Sequence, residues 1–165
     1  MQSMDEIKTP IRPGTSRCEQ GWRDFFKANC NVVFQTALLL TADATAAEAA
    51  VVESIDSLDI SSRPEQRSLA AWEEAVVVRS IETSRVSSSA ANSATRSMLQ
   101  PALLPLIQIE GFPRICFVLR MLLGYSTALC AQILGVEESH IRILFQTAAL
   151  QLRQKVKGNK FHSGH

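Results

Sequence analysis

The residues best suited to recognising another molecule lie at the start of the last predicted helix. Ser139, His140, Arg142 and Ile143 follow a glycine-containing turn, and Gln146 lies about one helical turn further on. Hydroxyl, imidazole, guanidinium and amide groups hydrogen-bond base edges and phosphates, and an aliphatic side chain can contact a thymine methyl group. These residue types in this position predict a nucleic-acid contact.

Catalytic or metal chemistry has little support in the sequence. The chain has no G-x-S-x-G, H-E-x-x-H, phosphate-binding or dinucleotide-binding glycine motif, and no pair of acidic and basic groups at a recognisable spacing. None of the four cysteines forms a C-x-x-C pair, and two of the three histidines lie in the polar C-terminal tail. We therefore predict a protein that is not an enzyme, with no cofactor and no metal site.

A short helix, a tight turn and a longer helix surround the candidate residues. Ser126 is expected to cap a helix over residues 126–134, Gly135 to end it, and Ser139 or Glu138 to begin the final helix, which ends near residue 156. In a helix-turn-helix the second helix enters the DNA major groove. The candidate DNA contacts are Ser126, Ser139, His140, Arg142, Ile143, Gln146 and Arg153, and the expected shared core is Leu129, Ile133, Ile141, Leu144, Phe145, Ala148 and Leu152.

Apolar residues recur at three- and four-residue steps along most of the chain, which is the period of amphipathic helices. We predict an all-α fold, with N-terminal helices over residues 20–40, 43–58 and 65–85 and a C-terminal series over residues 100–109, 111–123, 126–134 and 139–156. Asp43 or Thr45 is expected to cap the second helix. The predicted organisation is a flexible lead-in (1–18), a helical domain (19–85), a Ser/Ala-rich linker (86–99), the helix-turn-helix domain (100–156) and a tail (157–165).

Charge is distributed unevenly along the chain. The net charge is +1, but residues 1–100 hold ten Lys/Arg and thirteen Asp/Glu, whereas residues 101–165 hold seven Lys/Arg and three Glu. The C-terminal part is therefore the one expected to meet nucleic acid. Hydrophobic residues make up 46% of the chain, without a secretory signal or an apolar run of membrane-spanning length. We predict a cytoplasmic protein that has no membrane partner.

The C-terminal motifs have a recognisable order. Residues 112–120, which read FPRICFVLR, are followed by LGYS at 123–126 and by AQILGV at 131–136. This series resembles region four of extracytoplasmic-function sigma factors of bacterial RNA polymerase. Residues 37–43 and 47–53 are similar, more weakly, to region two of the same family.

The resemblance implies a three-helix, region-two-like part followed by a region-four-like helix-turn-helix domain. It also implies a role in transcription initiation, with core RNA polymerase and promoter DNA as partners and an anti-sigma protein as a further partner. Glu48 and Glu53 stand at acidic positions of the family's polymerase-binding helix. Trp72 is similar in place to the tryptophan of the family's promoter-melting helix, while its large apolar area favours a core position for it and for Trp22.

Other interpretations stay open. Ala49 and Val52 replace polar residues of the family, and Ile143 and Leu150 are expected to face outward on the final helix. These features fit a degenerate, sigma-derived protein-interaction module without DNA reading. A conventional helix-turn-helix regulator acting as a dimer is a third hypothesis. Arg114 and Arg120 flank an apolar block and are interpreted either as contacts to DNA backbone or polymerase, or as solvent-facing helix charges.

Overall fold

The computed structural model describes residues 17–86 and 93–160. Most of the predicted lead-in, residues 87–92 of the predicted linker and residues 161–165 of the predicted tail lie outside these ranges. The described chain is helical and contains no strand, which confirms the predicted all-α class. Its α-helices are α1 (Arg17–Thr41), α2 (Ala44–Ser54), α3 (Gln66–Val86), α4 (Ser93–Ser97), α5 (Leu104–Ile107), α6 (Gly111–Phe117), α7 (Thr127–Leu134) and α8 (Glu138–Lys160).

The first three helices pack against one another through an aliphatic and aromatic core. Asp43 begins α2 as predicted, because its carboxylate accepts a hydrogen bond from the Ala46 backbone N–H at 2.8 Å. The predicted second helix is shorter than expected, since α2 ends at Ser54 and is followed by the 3-10 turn Ile55–Ser57. Each of the three helices contributes to the core, which includes Leu38, Leu40, Ala47, Val51, Val76, Val77 and Ile81.

An aromatic cluster fills one end of these helices. Trp22 and Trp72 are 6% and 1% exposed, which confirms the core position expected for both. Phe25 and Phe26 lie between them, with ring centroids 5.1 to 5.9 Å from one or other indole ring. The Trp22 indole N–H also donates to the Ser62 carbonyl oxygen at 2.6 Å, which ties the α2–α3 connection to α1.

The segment after residue 92 lies against the N-terminal helices. The Thr95 hydroxyl accepts from the Ala44 backbone N–H at 3.2 Å, and the Gln35 side chain donates to the Met98 carbonyl at 2.8 Å. Leu99 is buried. The helix predicted over residues 100–109 is instead the 3-10 turn Pro101–Leu103 followed by the one-turn α5, with Leu103 joining the two. Pro101 and Pro105 supply no backbone N–H, which limits a continuous helix there.

The C-terminal helices form the helix-turn-helix arrangement that the capping serine and the glycine turn predicted. The Ser126 hydroxyl caps α7 by accepting from the Leu129 N–H, and Gly135 ends it with the left-handed backbone angle φ 69°. The segment after α6 is a π-helical turn, Val118–Leu122, that no sequence signal predicted. Ile141 and Ala148 are buried on one face of α8. The prediction that Leu129 belongs to this core was wrong, because its side chain is 39% exposed.

The N- and C-terminal parts meet across one continuous apolar core. Arg114 lies at this junction and is only 6% exposed, so both sequence interpretations of it were wrong. Its guanidinium donates to the Ile109 carbonyl at 2.8 Å and to the Leu40 carbonyl, at the end of α1, at 3.1 Å. Burial lowers the pKa of Arg114 to about 10, although the charge of Glu110 partly opposes this effect. Arg114 is therefore a structural link between the two parts.

Candidate nucleic-acid interface

The exposed face of α8 carries five of the seven predicted DNA contacts. Residues at steps of three and four share one side of a helix, and the buried Ile141 and Ala148 define the opposite side. This outward face is called the α8 face below. It consists of Ser139, Arg142, Ile143, Gln146, Ala149, Leu150, Arg153 and Lys157, all of which are exposed.

The donors on the α8 face are available to a ligand. Within the described ranges, no hydrogen bond or ion pair engages the side chains of Arg142, Gln146 or Arg153. Ser139 is partly occupied, because its hydroxyl donates to the Glu137 carboxylate at 3.3 Å. His140 is exposed but lies about 100° around the helix from Ser139, at the edge of the face. The face thus offers two free guanidinium groups and one free amide.

The α8 face is basic and partly apolar. No aspartate or glutamate follows Glu138 in the sequence, and three residues of the face, Arg142, Arg153 and Lys157, are cationic. Ile143 and Leu150, 60% and 61% exposed, face outward, as predicted. Lys157 was interpreted as part of a solvated tail, but its four-residue spacing from Arg153 extends the cationic row by one turn.

A second feature adjoins the C-terminal half of this face. Phe117, Leu152 and Val156 line an apolar groove of about 410 Å³, with Arg153 and Lys157 at its rim. Sequence reasoning missed the groove, because Phe117 comes from α6 and no local pattern places it beside the end of α8. Aliphatic and aromatic atoms line the groove. Such a surface is suited to binding an apolar side chain of a partner.

The orientation of α8 is held by contacts from α6 and α7. Phe117 and Phe145 stack with centroids 5.6 Å apart, and the Arg120 guanidinium lies 5.5 Å above the Phe145 ring. Arg120 also donates to the Thr127 hydroxyl at the start of α7, and the Cys116 thiol donates to the Ile141 carbonyl at 3.4 Å. Arg120 therefore contacts both α7 and α8 inside the helix-turn-helix. Neither sequence interpretation of Arg120 included this structural role.

Ser126 lies apart from the other candidates, at the N-terminus of α7. Its hydroxyl is exposed while capping the helix, so the same residue could meet a phosphate at this positive helix end. Tyr125 precedes it. Burial raises the pKa of Tyr125, and the negative charges of Glu74 and Glu73 raise it further. Two carboxylates of α3 are thus within electrostatic reach of the start of α7.

The predicted polymerase contacts Glu48 and Glu53 are both exposed on α2. They are five positions apart in the sequence, which places them about 140° apart around the helix, so they do not share one face. Glu53 lines a groove of about 530 Å³ between α2 and α3, together with Asp56, Glu74, Glu82 and Arg79. The groove is acidic and suits a basic partner. Its one cation, Arg79, forms an ion pair with Glu82 at 3.2 Å.

Comparisons of the chain with protein families, with curated proteins and with solved structures found no match. Within residues 17–86 and 93–160, no three His, Cys, Asp or Glu side chains are grouped as metal ligands would be. In the same ranges, no helix is both long and apolar enough to cross a membrane.

Proposed function

We propose that the chain is a sigma-factor-like transcription initiation protein that binds promoter DNA through α8 and core RNA polymerase through its N-terminal helices. The observation that carries this proposal is the α8 face, in which unpaired arginine and glutamine side chains follow a left-handed glycine turn. In this proposal α1–α3 correspond to region two and α6–α8 to region four.

DNA binding by α8 follows from its shape and charge. The major groove of B-DNA admits one α-helix, whose N-terminal residues then meet the base edges. Arg142, Ile143 and Gln146 lie in the first turns of α8, where they would reach bases. Arg153 and Lys157 lie further along and would neutralise phosphates, each contact releasing bound counterions. With so few cations the affinity would be modest, which suits a protein that is held at its promoter by a larger enzyme.

Polymerase binding is assigned to α2 and the acidic groove beside it. Glu48, Val52 and Glu53 are exposed on this helix, and Val52 is 59% exposed. Val52 shares a face of α2 with Glu48, and an exposed apolar side chain beside a carboxylate favours a basic, partly apolar partner segment. Glu53 lies on another side of α2, in the acidic groove. Strand separation is not assigned to Trp72, because its indole ring is buried and unavailable to stack on bases.

Capture of core RNA polymerase on the immobilised full-length chain tests this proposal. We expect capture at physiological salt, and a loss of at least about tenfold in affinity when Glu48→Lys and Glu53→Lys are combined, because the charge beside Val52 and a charge of the acidic groove are both reversed. The matched control combines Asp24→Lys and Glu65→Lys, exposed positions on α1 and before α3. Absence of capture, or equal loss in both double variants, would contradict the assignment.

A protein-interaction module without DNA reading is the second candidate, and a specific observation favours it. Ile143 and Leu150 are seven residues apart, so their exposed apolar side chains lie on the same side of α8. Exposed apolar surface of this kind favours a protein partner. Binding through it would depend little on salt, whereas DNA binding through arginine and lysine weakens steeply as salt increases.

A further inference from the structure

The last turns of α8 extend beyond the core of the protein. Ala148 is buried, whereas residues 149–158 contain only exposed or half-buried side chains. These residues are called the α8 extension below. Two of them, Leu150 and Val156, are apolar and are 61% and 44% exposed. A helix end that leaves such side chains in water is suited to contact with another protein surface.

The charges of the α8 extension all have the same sign. It carries Arg153, Lys155 and Lys157 and no aspartate or glutamate. Within residues 17–86 and 93–160, no hydrogen bond or ion pair engages these three side chains. Arg153 and Lys157 share one side of the helix with Val156, because they are separated by steps of three and four residues. A surface that binds the extension must therefore place carboxylates beside apolar atoms.

The acidic groove between α2 and α3 has the opposite charge. Its lining includes Glu53, Asp56 and Glu74, and none of these carboxylates forms an ion pair within the described ranges. The cation of the groove, Arg79, is already paired with Glu82 at 3.2 Å. Three unpaired carboxylates of the groove therefore match the three unpaired cations of the α8 extension.

The acidic groove also has an apolar lining and a length that suit a helix. Ala71, Ala75 and Val78 lie on one side of α3, at steps of four and three residues, and the Val78 side chain is 42% exposed. The α3 lining runs over residues 71–82, about 17 Å of helix, and the α8 extension is about 14 Å long. An amphipathic helix binds such a groove through its apolar side.

The partner that fits the acidic groove is a second copy of this chain. Within the described ranges, no residue of α8 lines the groove, so the α8 extension does not occupy the groove of its own chain. We propose that the protein self-associates, with the α8 extension of one copy lying in the acidic groove of the next. The cations of the extension pair there with Glu53 on α2 and Glu74 on α3, and Val156 packs on Val78.

This contact joins two different surfaces, so each copy carries both halves of it and the association is heterologous. Self-association does not rest on the proposed function, because neither DNA nor polymerase takes part in it. The contact brings together opposite charges that are exposed in the single chain. It should therefore be stronger at low salt than at high salt.

Sedimentation velocity of the full-length chain, over a range of protein and salt concentrations, measures the self-association. We expect the average mass to increase with protein concentration, and to increase less at high salt. The groove variant combines Glu53→Lys and Glu74→Lys, and the extension variant combines Arg153→Glu and Lys157→Glu. Each should weaken self-association at least about tenfold, because like charges then meet at the contact.

Mixing the two variants distinguishes this contact from a general effect of charge. The extension variant keeps the acidic groove and the groove variant keeps the basic extension. An equimolar mixture should therefore associate, although neither variant does so alone. A chain that carries all four substitutions should also self-associate, because both halves of the contact are reversed. Circular dichroism establishes that each variant is folded.

Matched controls change the same charges elsewhere. Asp24→Lys with Glu65→Lys, and Arg17→Glu with Arg23→Glu, alter exposed residues outside both surfaces, and both should self-associate like the unchanged chain. An unchanged chain that stays monomeric up to about 1 mM overturns the self-association. Equal behaviour of variants and controls, or folded variants that do not associate when mixed, overturns the proposed contact. Loss of polymerase capture by the groove variant, without any self-association of the unchanged chain, would assign the groove to polymerase instead.

Discussion

The indole N–H of Trp72 donates a hydrogen bond to the hydroxyl of Ser54 at 2.9 Å, and both side chains are buried. The Ser54 hydroxyl in turn donates to the Val51 carbonyl at 2.7 Å. This pair joins α2 to α3 at the aromatic cluster. It also removes Trp72 from the surface, where the family resemblance implied a role in promoter melting.

Replacement of Ser54 by alanine should destabilise the fold through this pair. The Trp72 indole N–H would stay buried without an acceptor, so the free energy of unfolding should fall by about 1 to 3 kcal/mol. Urea unfolding followed by tryptophan fluorescence measures the change. Ser57→Ala is the control, since Ser57 is exposed and its hydroxyl bonds the Ser54 carbonyl in its own turn. Equal effects of the two substitutions would show that the indole hydrogen bond contributes little.

Substitutions at Ser126 should separate helix capping from phosphate binding. Ser126→Ala should lower the free energy of unfolding by about 1 kcal/mol, because α7 loses the acceptor for its Leu129 N–H. Ser126→Asp retains an N-cap acceptor but places a negative charge where DNA would approach. We expect it to keep stability near that of the unchanged chain and to weaken DNA binding. Undiminished DNA affinity of the Ser126→Asp variant would show that no DNA phosphate binds at the N-terminus of α7.

The apolar residues of the α8 face should be sensitive to charge. Ile143→Glu and Leu150→Glu each introduce a carboxylate on the face that carries Arg142 and Arg153, so each should weaken DNA binding without unfolding the protein. Val32→Glu, at a residue of α1 that is 57% exposed, is the matched control. Anisotropy titrations with a DNA duplex measure the affinities. A loss shared by all three variants would point to net charge rather than to the α8 face.

Ionisation of the Cys116 thiol should make the free energy of unfolding depend on pH in the alkaline range. Burial raises the pKa of Cys116 from about 9 to about 11, the neighbouring Cys130 adds to this and Arg120 opposes it. Because the folded pKa is raised, the stabilisation is complete below pH 9 and is lost as the pH rises towards 11. The free energy of unfolding should fall by about 1 kcal/mol between pH 9 and pH 10.

A substitution at Cys116 isolates this contribution. Cys116→Val is similar in volume and cannot ionise, so its stability should change less over the same interval. The interval stops at pH 10 because the lowered pKa of Arg114 produces an opposite trend above that value. Identical pH profiles for the two proteins would show that Cys116 ionisation does not govern stability.

Features with local causes were predictable from the sequence. Asp43 and Ser126 cap helices and Gly135 adopts a left-handed conformation because each depends on neighbours within a few residues. The outward positions of Ile143 and Leu150 followed from helical spacing alone. The all-helical class could therefore be predicted, together with most of the α8 face.

Features that depend on distant partners could not be predicted. Arg114 is buried because it bonds Leu40, which precedes it by 74 residues. Arg85 bonds the end of α7, and Phe117 meets the end of α8, through packing that no short motif encodes. Leu129 has the expected apolar type, but α7 turns it towards solvent. The roles of the α8 face and of Glu48 and Glu53 stay predictions, since they require partners.

The salt dependence of DNA binding tests the central claim most directly. The affinity of the full-length chain for a mixed-sequence duplex is measured across a range of salt concentrations. It is measured for the unchanged chain, for Arg153→Ala with Lys157→Ala, and for Arg17→Ala with Arg23→Ala on α1. We predict a steep decrease of affinity with salt, and a logarithmic slope shallower by about 1.8 for the α8 double variant, at about 0.9 for each phosphate contact. Binding that is absent, insensitive to salt, or equally altered by the two double variants would contradict DNA recognition by α8.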